Sequence, residues 1–293
     1  MRKGRRNTAV FPHTVLMLVA LMCAVPFLLL VISSFTDENA LIRGGYSFVP
    51  EQWSVSAYEY LWNSRSSILR AYAITAFVTA VGTTLSLAVT AALGYAISQD
   101  ASSMGRVITG LVIFSTLFHA GLVPTYIMYA RYMSIRNSIA ALIFPRLLLN
   151  GMNVLIMRTY YKNSVPRALL ESARLDGASE LRVFAHMVLP LSKPMLATIG
   201  FLNGIAYWND WFNSFIYISE AGKLSIQGLL NRILMDIQFI STSEFAGDMA
   251  SVNVPGVSIR MAIAVIAIIP VLIAFPFFQK FLVKGISIGA VKG

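Results

Sequence analysis

Hydrophobic positions along this chain fall in long unbroken runs, not in strict alternation and not in narrow helical stripes. Six such runs are drawn at roughly 12–34, 70–97, 106–130, 138–160, 196–219 and 260–282. At about 1.5 Å of rise per residue, each is long enough to cross a hydrocarbon core of about 30 Å. The pattern predicts an all-α polytopic membrane protein with one transmembrane domain over residues 1–293. The third and fourth runs are the least regular, because Pro124, Arg131 and Pro145 fall in or beside them. The short alternating segments of a closed β-barrel are not visible.

Composition agrees with this reading. The chain is 57% hydrophobic and only 12% charged, about half the charge fraction of a soluble domain. The net charge of +10 could point to nucleic acid, but in a membrane protein basic residues gather on the cytoplasmic side. With the N-terminus placed inside, Arg2, Lys3, Arg5, Arg6, Arg106, Arg158, Lys162, Arg167, Arg174, Arg182, Lys193, Lys280, Lys284 and Lys292 all fall inside. Only Arg43, Arg65, Arg131, Arg136, Lys223 and Arg232 fall outside. Both termini are therefore expected in the cytoplasm. Carboxylates lean outward, with Asp37, Glu38, Glu51, Glu59, Glu220, Asp236, Glu244 and Asp248, and carry little topological weight. The basic start MRKGRRNT and the run after it resemble a signal peptide, but that run is too long for one and is read as a retained first span. The single cysteine, Cys23, lies in that run, so no disulfide or cysteine zinc site forms within the chain.

Two outside loops are long, from about Thr36 to Leu69 and from about Ala221 to Val257. Loops of this length are either functional or disordered. In the first, Tyr46, Phe48, Trp53, Tyr58, Tyr60 and Trp62 argue against disorder and suit either a partner surface or a membrane interface.

The inside segment 164–190 breaks the apolar pattern. Pro166 stands where a helix can start. Leu169, Leu170 and Ala173 then form an apolar edge, with Arg167 and Arg174 off it. Gly177 interrupts. A second amphipathic piece follows, with Leu181, Phe184 and Ala185 on one side and Glu180 and Arg182 on the other, before Pro190 and Pro194. The pattern predicts two short helices meeting at an angle on the cytoplasmic face. Taken alone, it equally describes an amphipathic loop lying in the headgroups.

The spacing of ESARLDGASELRVFAHMVLP resembles the EAA motif of permeases of ATP-binding-cassette importers, E-A-A, x3, G, x9, I, x, L-P. Ser172 replaces the second position and Met187 the isoleucine, each keeping size or apolarity. The runs FHAGLVPTYIMYARYMSIRNSIAALIFP, NVLIMRTYY and VPRALLESARLDGAS resemble the carbohydrate-uptake branch. So do SSFTDENALIRGGYSFVPEQWSVSAYEYLW and the tail KGISIGAVKG. Most of the chain is covered, and the likeness is to maltose-type smaller permeases of the oligosaccharide and polysaccharide-fragment subgroup, which includes those of alginate importers.

This resemblance implies a set of roles and partners. Glu171, Ser172, Ala173, Asp176, Gly177, Leu189 and Pro190 would dock on a separate ATPase subunit. That subunit, present twice, would bind ATP and Mg. A second, homologous permease and an extracytoplasmic solute-binding protein would complete the importer in a bacterial inner membrane. No GxxxxGK[ST] run is present, so this chain is not expected to hydrolyse ATP. No cofactor is expected within it, and no enzymatic constellation is visible. His13, His119 and His186 lack metal-ligand spacing.

Polar residues inside the runs remain. In FLNGIAYWNDWFNSF, a continuous helix would place Asn203, Tyr207, Asp210 and Ser214 within about 60° on one face. A carboxylate within a span costs about 2.5–3.5 kcal/mol, so Asp210 should face an interior or aqueous path. The four residues then line a translocation path or form a buried hydrogen-bond latch. Arg146, Asn150 and Asn153 are expected to share a face in the fourth run, with Arg146 a candidate to attract an anionic sugar. Thr75, Thr79, Ser86 and Thr90 form a stripe of hydroxyls in the second, of the kind that knits helices together. The rival reading is an ion-coupled carrier using Asp210, which would have no need of the segment around Gly177.

Overall fold

The computed structural model describes residues 4–99, 103–242 and 256–290. Arg2, Lys3, Glu244, Asp248 and Lys292, used above for orientation, lie outside the described residues. The helices are α1 Gly4–Ser34, α2 Glu38–Gly44, α3 Ser56–Asn63, α4 Arg65–Ser98, α5 Ser103–Leu117, α6 Leu122–Ile127, α7 Ala140–Ile143 and α8 Gly151–Ser164. There follow α9 Arg167–Leu175, α10 Glu180–Val183, α11 Leu189–Leu191, α12 Lys193–Trp208, α13 Phe212–Tyr217, α14 Ile226–Thr242 and α15 Val257–Ala290. Among the described residues the only extended pairing is an isolated bridge between Thr36 and Trp53.

Among the described residues three helices are long and apolar enough to cross a membrane unaided: Pro12–Ser34, Arg65–Ser98 and Val257–Phe277. The other expected spans are broken. The third runs through Met104–Leu117 and Leu122–Tyr132, which meet at 117°. Gly121 stands just before the second of these at φ +85, a conformation closed to most side chains. The fourth is not one helix either. After α7, Pro145 has no N–H to continue the ladder, and Arg146 sits at φ +64. Asn150 then caps α8 by accepting the N–H of Asn153 at 3.2 Å. The fifth stops at Trp208 and resumes at Phe212. There the Asn209 side chain donates to the carbonyl of Ile205 at 3.1 Å and competes with the helix.

Contacts divide the chain into two compact units, residues 1–68 with 232–270 and residues 69–231 with 271–293. In the first unit the segment between α1 and α4 is ordered by side chains. Phe35 stacks on Tyr58 with centroids 4.6 Å apart, and Ser34 Oγ meets Tyr58 Oη at 2.8 Å. Asp37 caps α2 by accepting from Asn39 and Ala40. Glu38 accepts from Val257 N at 2.8 Å, Ser258 N at 2.9 Å and Ser258 Oγ at 2.7 Å. It thereby places a carboxylate on the unpaired donors at the start of α15, where the helix dipole favours negative charge.

In the second unit one face of α4 is buried at Ala71, Thr75, Val78, Gly82, Ser86, Thr90, Ala91, Gly94 and Tyr95. Most of these residues are small, and they let neighbouring helices approach closely. A Cβ on Gly82 would lie 2.6 Å from the Tyr207 ring, and one on Gly94 would lie 2.9 Å from Met157.

Replacing Glu38 by alanine removes three charge-assisted bonds from the start of α15. It should destabilise the protein by about 1–2 kcal/mol, with glutamine intermediate. Thermal unfolding in detergent reads this directly. An unchanged midpoint for alanine would mean that α15 starts equally well without its carboxylate cap.

Candidate functional site

The segment after α8 is built by local rules that its sequence carries. Pro166, at φ −63, precedes α9, whose buried positions are Leu170 and Ala173. The helix closes with Gly177 N donating to Arg174 O at 3.0 Å and Ala178 N donating to Ala173 O at 3.0 Å. This pair of bonds is a Schellman motif, and it requires the left-handed conformation that Gly177 adopts at φ +81. Ser179 then caps α10 by accepting from Arg182 N. A π-helical stretch, Phe184–Val188, leads to α11, and Glu180–Leu191 meets Lys193–Trp208 at 81°.

The second piece differs from expectation. Leu181 is 79% exposed, and Ala185 is exposed as well, whereas Val183 and Val188 are each 1% exposed. The π turn widens the helix and shifts which positions face inward, so a fixed 3.6-residue period does not find the buried side. Glu171, Ser172, Asp176, Gly177 and Pro190 are exposed, Leu189 is half-buried and Ala173 is buried. Leu175, at the last turn of α9, is 88% exposed.

Beneath this surface lies a buried base of Tyr95, Met157, Tyr160, Tyr161, Val165, Leu170, Ala173, Val183, Val188 and Ile199. Arg174 Nε donates to Glu180 Oε1 at 2.7 Å, bridging the turn at Gly177. Arg174 Nη2 donates to Gln99 Oε1 at 2.8 Å, and Tyr95 Oη donates to Glu180 Oε2 at 2.6 Å. The Arg174 guanidinium, followed by the Tyr95 hydroxyl, holds the Glu180 carboxyl below the usual carboxylate range. A hollow of about 200 Å³ beside this network is lined by Ser98, Gln99, Tyr161, Lys162, Arg167, Glu171 and Arg174, among others. Tyr95, Gln99 and the inward role of Glu180 were not legible in the sequence. Their partners are up to 85 residues apart, and no local pattern marks them.

The polar residues of the spans are also brought into contact, though not on one helix. Asn203 accepts from Asn153 Nδ2 at 2.8 Å and donates to Ser86 Oγ at 2.9 Å. Tyr207 Oη donates to the carbonyl of Ile143 at 2.9 Å. Asp210 lies in the break between α12 and α13, where its Oδ1 accepts from Asn213 N at 3.3 Å in the first turn of α13. Ser214 Oγ meets Ser225 Oγ at 2.8 Å. The single helical face expected for these four therefore ends at Tyr207. Arg146, Asn150 and Asn153 likewise do not share a helix face. Arg146 stands in the preceding turn, exposed, with its Cζ 4.5 Å from the centroid of Phe212.

Residues 10–288 match the protein family described as "Binding-protein-dependent transport system inner membrane component". Over 282 residues the chain is 33% identical to the polygalacturonan/rhamnogalacturonan transport system permease protein YtcP of Bacillus subtilis (strain 168), covering 95% of this chain and 96% of that one. It is 34% identical over 276 residues to the protein LplC of the same organism, covering 94% and 91%. In three dimensions it is similar to a chain in the crystal structure of a bacterial ABC transporter involved in the import of the acidic polysaccharide alginate. The TM-score is 0.78 at 27% identity, over 96% of this chain and 99% of that one.

The turn at Gly177 is open, with nothing within 4 Å of a built Cβ, so a side chain there meets backbone strain and no clash. Gly177→Asn should keep the segment closed, whereas Gly177→Val should strain it by about 1–2 kcal/mol or more. Limited proteolysis in detergent should then cut the valine variant faster between residues 175 and 180. Equal protection in both would mean that the left-handed turn is not what closes α9.

Proposed function

This chain belongs to the family of binding-protein-dependent transport system inner-membrane components, and from that premise we propose that it is one permease subunit of an ATP-driven oligosaccharide importer. A solute-binding protein delivers sugar at the outer loops. A second, homologous permease completes the path across the bacterial inner membrane, with both termini of this chain in the cytoplasm. Two ATPase subunits hold ATP and Mg, and this chain contributes no catalytic residue. Their closure pushes the segment around Gly177, and the spans alternate between inward-open and outward-open.

The observation that carries this reading is the form of that segment. Two helices closed at a glycine project Glu171, Ser172, Leu175, Asp176 and Leu181 outward from a buried base. Such a body can receive a push and pass it on without collapsing. Glu171 offers a free-facing carboxylate for a basic group of the ATPase, and Ala173 keeps α9 close to its base. A self-sufficient ion-coupled carrier has no use for such a surface, and the carboxylate it would require, Asp210, already accepts a backbone N–H.

Reconstitution tests the reading. The full importer in liposomes should hydrolyse ATP faster when the loaded binding protein is added, and sugar should accumulate inside. Glu171→Lys should leave the chain inserted but separate hydrolysis from uptake. Normal transport by Glu171→Lys, or ion-driven uptake by this chain without an ATPase, would overturn it.

For the cargo, we propose an acidic oligosaccharide, with Arg146 helping to attract it. Arg146 is exposed, and its guanidinium is braced against Phe212. A relative is named as the permease of a polygalacturonan/rhamnogalacturonan transport system, and the similar solved structure is of a transporter involved in alginate import. Arg146→Gln should slow uptake of acidic oligosaccharides several-fold more than neutral ones, and Arg146→Lys should restore much of the loss. An equal effect on both cargoes would remove Arg146 from the explanation.

A further inference from the structure

Helices α8 and α12 are joined covalently to the ends of the segment between them, so any displacement of that segment pulls on both. Helix α4 has no such link. Its cytoplasmic end meets the segment through side chains, and four polar ones among the described residues are joined there. Arg174, on the last turn of α9, and Glu180, at the start of α10, pair across the turn at Gly177. Each also reaches back to α4 and its end, Arg174 to Gln99 at 2.8 Å and Glu180 to Tyr95 at 2.6 Å.

The members of this set are not equivalent. The Arg174–Glu180 pair has side chains 36% and 59% exposed, and solvent weakens such a pair. Tyr95 is 8% exposed. Its hydroxyl donates to an ionised carboxylate over a short distance, the stronger kind of hydrogen bond. Its ring is held at the same time, 5.1 Å from the Phe184 centroid and edge-on to Tyr161 at 6.3 Å. Tyr95 is thus anchored in packed rings while its hydroxyl grips the exposed turn.

We propose that Tyr95 and Glu180, braced by Arg174 and Gln99, are positioning residues that make α4 move as one body with the segment around Gly177. α4 is the helix to gain from such a tie. Its buried face carries Gly82 against Tyr207 and Ser86 against Asn203, so displacing α4 displaces the polar contacts of the spans. Without the tie, the segment would shift α8 and α12 while α4 lagged. ATP would then be consumed with less sugar moved. This inference rests on the reading of the segment as the ATPase contact.

Tyr95→Phe tests it, since the ring stays and only the hydroxyl is lost. The full importer is reconstituted in liposomes, and sugar carried per ATP hydrolysed is compared with that of the wild type. The expected result is a fall of about fivefold or more, with the ATPase subunits still copurifying. Glu180→Gln, on an exposed side chain, should lower the same ratio, and this second variant decides if Tyr95→Phe fails to assemble. The double variant should fall no further than the worse single one, because both act through one bond. An unchanged ratio in the variants, or fully additive losses, would overturn the inference while leaving the ATPase contact standing. Failure of the wild-type chain to bind an ATPase at all would overturn both.

Discussion

A chain in hydrocarbon has only itself, or water admitted to a cavity, to satisfy its backbone N–H and C=O groups. Continuous helices meet that demand automatically. This protein interrupts its helices at 118–121, 144–150 and 209–211, and at the second and third breaks its polar side chains meet the demand instead. Tyr207 covers the carbonyl of Ile143, and Asn213 covers that of Pro145 at 3.1 Å. Ser225 Oγ covers Asp210 O at 3.2 Å, and at the start of α14, outside these breaks, Thr75 Oγ1 likewise receives Ile226 N at 2.8 Å. The polar residues that stand out in the apolar runs are therefore what allows the runs to be broken. Broken helices with satisfied ends can shift between arrangements more readily than straight ones.

The segment around Gly177 follows the opposite rule. Much of its surface is exposed, at Glu171, Ser172, Leu175, Asp176 and Leu181. Only the inward positions are constrained, by packing on Tyr160, Tyr161, Val165 and Ile199. One left-handed glycine closes α9, one serine opens α10, and a π turn rotates the following residues onto the base. Rigidity comes from that base, and reach comes from exposed Leu175 and Leu181.

Membership of the transport family accounts for the helical class and for the non-catalytic character of the chain together. A membrane component of a binding-protein-dependent system has its energy supplied elsewhere. Its own residues need only hold shape, transmit displacement and avoid obstructing the cargo. The hydrogen-bonded side chains described here hold the helix breaks and the turn at Gly177 in shape, and none of them forms a nucleophile–base pair.

The sequence by itself determined the helical membrane class, the irregularity of the third and fourth runs, and the glycine-closed segment. These depend on local quantities: run length, the missing N–H of Pro145, and the freedom of Gly177 to adopt positive φ. It also pointed to Asn203, Tyr207, Asp210 and Ser214 as inward-facing, since a carboxylate within a span avoids lipid; the structure buries Asn203, Tyr207 and Ser214 and leaves Asp210 half-buried in the break after Trp208. What it missed required distance. A 3.6-residue period presumes an unbroken α-helix, so it misread the register beyond Trp208 and across the π turn, which brings Val188, five residues after Val183, to the buried side. Only the tertiary structure set Tyr95 on Glu180 and Glu38 on the start of α15. Those partners are 85 and about 220 residues apart, and what pairs them is the packing of helices, which no local pattern encodes.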